Sequence, residues 1–350
     1  MYIFKWIEIK IQYSKYSVGM VNMGFALQLD RDRKRMLVEN AVMEKQSTDD
    51  VVIHLESSAI NRRDDWICKG AYPNIQYQVT LGSDGFGRVA TGKHIESFPD
   101  GVIICPSVHW GDQESYPSEK YHILGMPSHG TFANRIIVPI ENIFASPKHL
   151  NRFEAAALPL AGLTAYRSVF TKGQVKRGAK VLISGVGGGV AVFALQFSLA
   201  LGADVYVTSG SEHKIERAIS MGAKDGVLYT KSSWKKDLPK GFDVIIDSAG
   251  GDDFGSFISL IGSGGRIVFF GGTNGSWPSI KPQHLFFKQA SILATTMGSP
   301  REFGAMCSFV ETHKIVPVID SIFTIDEHDK AFERLLQKDR FGKIVFDHSK

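Results

Sequence analysis

The segment from Lys180 to Ala191 reads Lys-Val-Leu-Ile-Ser-Gly-Val-Gly-Gly-Gly-Val-Ala. It holds a short apolar strand, Val181 to Ile183, then a glycine cluster, then the start of an apolar helix. Such an order lets a chain turn sharply and aim a helix N-terminus at an anion. Gly185 and Gly187 permit the tight turn. Gly188 and Gly189 leave no side chain between the backbone and a pyrophosphate. The amides of the first helical turn, opening at Val190, then bind the anion together with the positive end of the helix dipole. The small Ala191 allows helix and strand to pack closely. An ordinary glycine loop has the same composition. The strand before, the helix after and a further strand at the right distance favour the dinucleotide reading.

That further strand, Asp204 to Thr208, addresses the choice of nucleotide. An NAD site ends it with an acid on the ribose hydroxyls, about 20 residues past the glycines. Here Thr208-Ser209-Gly210-Ser211 stands in that place and Lys214 follows. Hydroxyls and an ammonium bind a 2′-phosphate that an acid would repel, so the expectation is NADP (NADPH) rather than NAD. Glu212 is the nearest acid and argues the other way, and Lys214 has the alternative of a solvated helix face. A later run, Gly271-Gly272-Thr273-Asn274, ends an apolar strand where ligands bind in open α/β sheets.

The elements that must hold these residues fall into three groups. The chain has 350 residues, 43% of them hydrophobic and 22% charged, which suits a globular protein of two domains. Residues 1–22 differ from the rest and are expected to be an N-terminal extension. Residues 23–147 alternate short β-rich segments (Asp50 to Ile60, Gly85 to Ala90, Val102 to Pro106, Thr131 to Pro139) with turns, which predicts a small barrel-like antiparallel domain. Residues 148–291 alternate strands with helices. The runs Phe242 to Asp247 and Gly265 to Phe270 are apolar throughout, as buried parallel strands are, and predict a doubly wound sheet. Residues 292–350 carry a helix from Arg301 to Lys314, a strand Val316 to Asp320, a helix Glu327 to Lys338 and a last strand Lys343 to Phe346.

Composition also excludes. The net charge of +4 comes without a dense basic block, so no nucleic-acid partner is expected. No apolar run reaches the roughly 18 residues of a membrane helix, and no secretory signal is evident. The three cysteines, Cys68, Cys105 and Cys307, are far apart and form no Cys-x-x-Cys, which fits a reducing, cytoplasmic setting.

Several stretches together resemble the medium-chain dehydrogenase/reductase superfamily. They are Ala59-Ile-Asn61-x-x-Asp64, Leu81-Gly-Ser-Asp84, Gly130-Thr-Phe-Ala133, Ala155 to Tyr166, the glycine loop, Asp247-Ser-Ala-Gly-Gly251 and Phe341-Gly-Lys-Ile-Val345. The chain is most similar to the quinone-oxidoreductase-like and zinc-type alcohol dehydrogenase-like branch. The resemblance implies a GroES-like β-barrel catalytic domain, a Rossmann cofactor domain inserted in it, a returning C-terminal segment, and hydride transfer in the cleft between them. Within that family the catalytic zinc is held by a Cys, a His and a second Cys. Those positions match Asn61, Ser83 and Leu160 here, so no zinc is expected: an amide, a hydroxyl and an alkyl group do not make a tetrahedral site. Cys105 with His109, or His122 with His129, remain as unconventional alternatives.

Without a metal the substrate carbonyl needs donors in a dry cleft or a general acid. The resemblance offers Asn61, whose amide would donate to the substrate oxygen or the nicotinamide carboxamide, and Tyr72, whose hydroxyl would donate. Asp64 would orient its neighbours. Asn61 as a turn cap and Tyr72 as a packed aromatic are the structural alternatives, and Trp66 and His109-Trp110 are expected either in a pocket wall or in the core. For the cofactor, Thr164 resembles a residue at the nicotinamide end, and Lys214 and Tyr229 a pair that binds the adenosine phosphate. Arg340 and Lys343 would meet phosphate or lie on the surface. Asn134-Arg135 departs from the family's usual Glu-Tyr, which puts the local barrel packing in doubt. The function expected is an NADPH-dependent, zinc-independent oxidoreductase for a small-molecule carbonyl (quinone, enone or aldehyde), working as a homodimer paired through an edge near Ile292 to Thr296. The alternatives are a nucleotide-binding sensor or scaffold, and a zinc alcohol dehydrogenase with unconventional ligands.

Overall fold

The structure, a computed structural model, describes residues 20–44, 47, 49–90 and 95–349. The extension expected over residues 1–22 therefore lies almost wholly outside the described residues. The first strand starts at Met20, earlier than expected. It is β1 (Met20–Leu29), paired antiparallel with β2 (Arg35–Glu44).

The long strand β3 (Asp50–Ile60) organises the catalytic domain. It runs into α1 (Arg62–Cys68) and pairs antiparallel with β4 (Asp84–Val89). β5 (Val102–Ile104) continues the sheet, and β6 (Ser107–Val108) and β7 (His122–Ile123) make a two-stranded ribbon. β8 (Arg135–Pro139) pairs with the first half of β3, and β9 (Ile143–Ala145) with β5. The strand expected from Thr131 is shorter because Thr131 and Phe132 donate their N–H groups to Gly82 and Leu81. Asn134 and Arg135 are clamps on β1: Phe25 N–H donates to Asn134 Oδ1 at 2.8 Å and Arg135 Nη1 to Asn22 O at 2.9 Å.

Two helices, α2 (Arg152–Ala157) and α3 (Pro159–Tyr166), lead out of this domain. Six parallel strands follow: β10 (Lys180–Ile183), β11 (Asp204–Ser209), β12 (Asp225–Leu228), β13 (Phe242–Asp247), β14 (Ile261–Phe269) and β15 (Ser291–Ala294). Their spatial order is β12-β11-β10-β13-β14-β15, the 3-2-1-4-5-6 order of the Rossmann fold. The helices between them are α4 (Gly189–Ala200), α5 (Glu212–Ser220), α6 (Phe254–Leu260) and the short α7 (Gln283–Phe286). Both faces of the sheet are covered. Val181 and Ile183 join the core under α4, while Leu182 joins the core under α6. This is why the strands are apolar at successive positions. The sheet takes in Ser291–Ala294, so the boundary expected at 291 cuts its last strand.

The chain then makes α8 (Pro300–Thr312), β16 (Ile319–Thr324), α9 (His328–Leu336) and β17 (Lys343–Asp347). β16 and β17 are parallel, and β17 pairs antiparallel with β3, which returns the C-terminus to the catalytic sheet. The strand expected at Val316 to Asp320 forms three residues later. Pro317 has no N–H for a ladder, and pairing with β17 opens where Lys343 N–H donates to Val318 O at 2.9 Å. One core spans both domains, running from Ala59, Phe86 and Ile103 through α2 and α3 to α4 and the sheet.

Candidate active site

Sheet register builds the centre of the site. Ile344 lies opposite Ile60 and Ala59 opposite Asp84. The end of β3 and the starts of β4 and β17 thus converge, bringing Asn61, Asp84 and Lys343 together. Lys343 Nζ, 4% exposed at the side chain, donates to Asn61 Oδ1 at 2.6 Å, Asp84 Oδ2 at 2.8 Å and Ile60 O at 3.0 Å. Asn61 Nδ2 donates to Asp84 Oδ2 at 2.8 Å, and Leu160 N–H to Asp84 Oδ1 at 2.7 Å. Lysine only donates and a carboxylate only accepts, so the Asn61 amide has one possible orientation, with one N–H left over.

Asp64 sits in the first turn of α1 and accepts the Asn61 N–H at 2.8 Å. Its burial pushes its carboxyl up to about 6, against the pull of Arg63. Arg63, which the sequence reading passed over, has a side chain 8% exposed. It donates to Ser83 Oγ at 2.6 Å, Leu124 O at 2.7 Å, Met126 O at 3.3 Å and Tyr72 Oη at 3.3 Å.

Asn61, Arg63, Tyr72 and Lys343 floor a cleft of about 490 Å³ between the two domains. Trp66, Tyr72, Ile123, Leu160, Thr296 and Met297 line one end. Ala161, Thr164, Gly188, Gly189, Val190, Phe270, Gly271, Gly272 and Thr273 line the side toward the parallel sheet. Arg62, Arg63, Arg340 and Lys343 also line it, and among the described residues no carboxylate does. The cleft is built for anionic and electron-rich ligands.

The glycine loop joins β10 to α4 as the sequence predicts. Gly185 and Gly187 have φ of 64° and 112°, and Gly188 is the N-cap of α4. A Cβ at Gly187 would stand 2.7 Å from Lys214 Cδ and 3.1 Å from its Nζ, so Lys214 lies over the loop. A Cβ at Gly189 would meet Lys343 Cδ at 2.9 Å. Burial, then the nearby Arg340, pulls the Lys214 ammonium below its usual range. The loop, the helix end, Lys214 and Arg340 fit the diphosphate of a dinucleotide.

Some expected cofactor residues stand elsewhere. Thr208 and Ser209 are each 2% exposed. Gly185 N–H donates to Thr208 Oγ1 at 3.3 Å, and Ser209 Oγ lies 3.4 Å from Val186 O. Their hydroxyls brace the loop because β11 ends beneath it. Ser211 is the N-cap of α5 with no side-chain cap bond. Tyr229, 42% exposed, reaches Gly210 next to it. Asn274 is exposed and outside the cleft lining; its N–H is tied to Ala249 O at 2.8 Å, and Gly272 and Thr273 face the cleft instead. Thr164 donates within its own helix, to Leu160 O at 2.8 Å.

The zinc positions do not fit a metal. Asn61 and Asp84 are occupied with an ammonium, Ser83 Oγ takes a guanidinium N–H and donates to Leu124 O at 2.8 Å, and Leu160 presents an alkyl chain. Positive charge at this centre opposes a divalent cation. The alternative pairs do not assemble either. Cys105 is fully buried in the core and His109 exposed, while His129 Nδ1 accepts Thr80 N–H at 3.1 Å. Among the described residues no group of three or more His, Cys, Asp or Glu is placed to hold a metal. Trp66 joins the cleft wall, but Trp110 is packed beneath Arg167 and donates to Gln113 O at 2.9 Å.

A Rossmann sheet and a barrel-like sheet facing each other over a cationic cleft define a two-domain, dinucleotide-dependent oxidoreductase. Comparison with known proteins agrees. Residues 47–148 match the alcohol dehydrogenase GroES-like domain and residues 189–312 the zinc-binding dehydrogenase family. The zinc-type alcohol dehydrogenase-like protein YogA of Leptosphaeria maculans is 33% identical over 327 residues, 85% of this chain and 90% of that protein. An acryloyl-coenzyme A reductase of Sulfurisphaera tokodaii is 26% identical over 86% of this chain and 93% of its own length. The crystal structure of an NAD-dependent alcohol dehydrogenase superposes with a TM-score of 0.85 at 32% identity, covering 93% of this chain and 100% of that one. The chain belongs to the medium-chain dehydrogenase/reductase superfamily, whose members bind NAD(P), and it is an oxidoreductase.

Proposed function

We propose that this protein is an NADPH-dependent, zinc-independent reductase of activated carbonyl compounds: quinones, enones or aldehydes. The observation that carries the reading is the centre of the cleft. Asn61, Ser83 and Leu160 stand where a metal-dependent relative would place ligands, and the Asn61 amide is satisfied there by the Lys343 ammonium and the Asp84 carboxylate. The name of the acryloyl-coenzyme A reductase relative supports an acceptor conjugated to a carbonyl.

A bound reduced nicotinamide supplies a hydride to such an acceptor. The chain's own residues do the rest. The α4 N-terminus, Lys214 and Arg340 hold the diphosphate and the 2′-phosphate, with Ser211 and Tyr229 at the adenosine end. Leu160, Trp66 and Met297 keep the cleft dry, which strengthens each hydrogen bond inside it. The remaining Asn61 N–H and the Tyr72 hydroxyl face the oxygen that gains charge, and Tyr72 is placed to give it a proton.

Calorimetric titration of chelator-treated protein with NADPH and NADH tests the reading. Tighter binding of NADPH, weakened at least tenfold by Lys214→Ala, supports it. A preference for NADH, in line with the NAD-dependent alcohol dehydrogenase that superposes on this chain, overturns the 2′-phosphate assignment. Binding without turnover of any carbonyl favours a sensor. Loss of turnover on chelation, restored by zinc, overturns zinc independence.

A further inference from the structure

Arg63 is buried and its bonds are countable. A guanidinium has five N–H groups. Four contacts account for them all but one: Tyr72 Oη at 3.3 Å, Ser83 Oγ at 2.6 Å, Leu124 O at 2.7 Å and Met126 O at 3.3 Å. All four acceptors are neutral. The carboxylate within salt-bridge range, Asp64 Oδ1, stands 3.9 Å away, too far for a hydrogen bond. The guanidinium carbon also lies 4.7 Å from the centre of the Tyr72 ring. Both residues line the cleft.

The direction of the Arg63–Tyr72 bond matters. Arginine can only donate, so the phenol oxygen accepts. The Tyr72 O–H is thereby left with its hydrogen to give elsewhere, and Tyr72 lines the cleft. We propose that Arg63 is a positioning residue for reduction: it commits the Tyr72 hydroxyl hydrogen to the substrate oxygen and holds the phenolate formed when the proton leaves. This rests on the function proposed above. In the step, the Tyr72 O–H bond breaks and the product alcohol O–H bond forms. The bonding pair stays on the phenol oxygen, so one negative charge moves from the substrate oxygen to Tyr72. The Arg63 Nε–H and its positive charge then stabilise it. A proton from solvent restores the phenol once product has left.

The test compares wild type with Tyr72→Phe, Arg63→Lys, Arg63→Met and the Arg63→Met/Tyr72→Phe pair. Reduction of 1,4-benzoquinone, methyl vinyl ketone and benzaldehyde by NADPH is followed, and NADPH affinity is measured by calorimetry. Tyr72→Phe and Arg63→Met should each lower kcat about 100-fold with KM and NADPH affinity nearly unchanged. The double variant should be no worse than about threefold below either single one, because the two act as a unit. Arg63→Lys, still a cation and a donor, should recover about tenfold of the loss. Multiplying losses, or an unaffected kcat in Tyr72→Phe, overturns the proposal. The Arg63 Nε–H resonance gives a reading that survives if Arg63→Met fails to fold. In Tyr72→Phe it should shift and exchange faster with solvent, and an unchanged resonance overturns the proposal. If wild type binds NADPH but reduces none of the three acceptors, the function proposed above falls first and the role of Arg63 with it.

Discussion

Asn61 has a fixed amide because neighbours of opposite charge hold its two ends, Lys343 on the oxygen and Asp84 on the nitrogen. That arrangement predicts a measurable cost. Lys343→Met leaves Asp84, 0% exposed at its side chain, as a buried charge without its cation, and should destabilise the protein by about 3–5 kcal/mol. Lys343→Met/Asp84→Asn should recover about half of that, since the stranded charge is gone. Urea unfolding of the singles and the pair measures it. A single variant within about 0.5 kcal/mol of wild type would remove the ion pair from the account of stability. At this scale the sequence was only partly legible. Gly185 to Gly189 and Lys214 could be read because their meaning is local, a turn and a helix end within 30 residues. Asn61 and Lys343 are 282 residues apart and meet only through the register of β17 on β3. Lys343 therefore read as a surface or phosphate lysine. Arg63 was passed over because a second arginine in a short helix carries no mark of burial.

Elements show how backbone chemistry shaped what could be foreseen. The β10–loop–α4 unit followed from composition, but β11 ends under the loop, so Thr208 and Ser209 brace it. Gly187 is where this unit tolerates least. Its φ of 112° is costly for any L-residue, and a Cβ would displace Lys214. Gly187→Ala should weaken NADPH binding at least tenfold and cost about 1–3 kcal/mol of stability, read by calorimetry and urea unfolding. Unchanged affinity would take Lys214 and the loop out of the nucleotide site. A second case lies at the end of β17. His348 is buried, with Nε2 2.8 Å from Ser58 Oγ on β3 and its ring edge-on to Phe25 at 5.5 Å. Burial holds its imidazole down at about 4, against an ordinary 6.5. A folded value below the unfolded one means stability present above pH 6.5 is lost as pH falls toward 4. The loss reaches about 3 kcal/mol. His348→Gln should flatten that part of the pH dependence in urea unfolding between pH 4 and 7. A variant as acid-sensitive as wild type would assign the loss to other groups.

At the scale of the whole molecule, the Rossmann sheet ends in a strand that, among the described residues, pairs on one side. β15 is bonded to β14, and no described strand bonds its other edge. An open edge with Ile292 and Leu293 on it invites pairing with another strand. The short α7, just before it in the chain, ends in Phe286, 51% exposed, and its C-cap Phe287 is 80% exposed, with their rings 4.7 Å apart. Two adjacent aromatic side chains left in water just before that strand in the chain fit a partner surface better than a solvated one. A second copy of the chain, placed by a twofold axis beside β15, would pair the two edges antiparallel and cover both rings, since an isologous contact uses the same patch twice. The expected outcome is a dimer at micromolar concentration in sedimentation velocity. Phe287→Asp with Ile292→Glu should shift it to monomer by placing like charges across the seam, while NADPH affinity stays within about twofold because neither residue lines the cleft. A wild-type monomer at that concentration would leave β15 as a true free edge. A dimer unmoved by the pair of substitutions would place the contact on another face of the molecule.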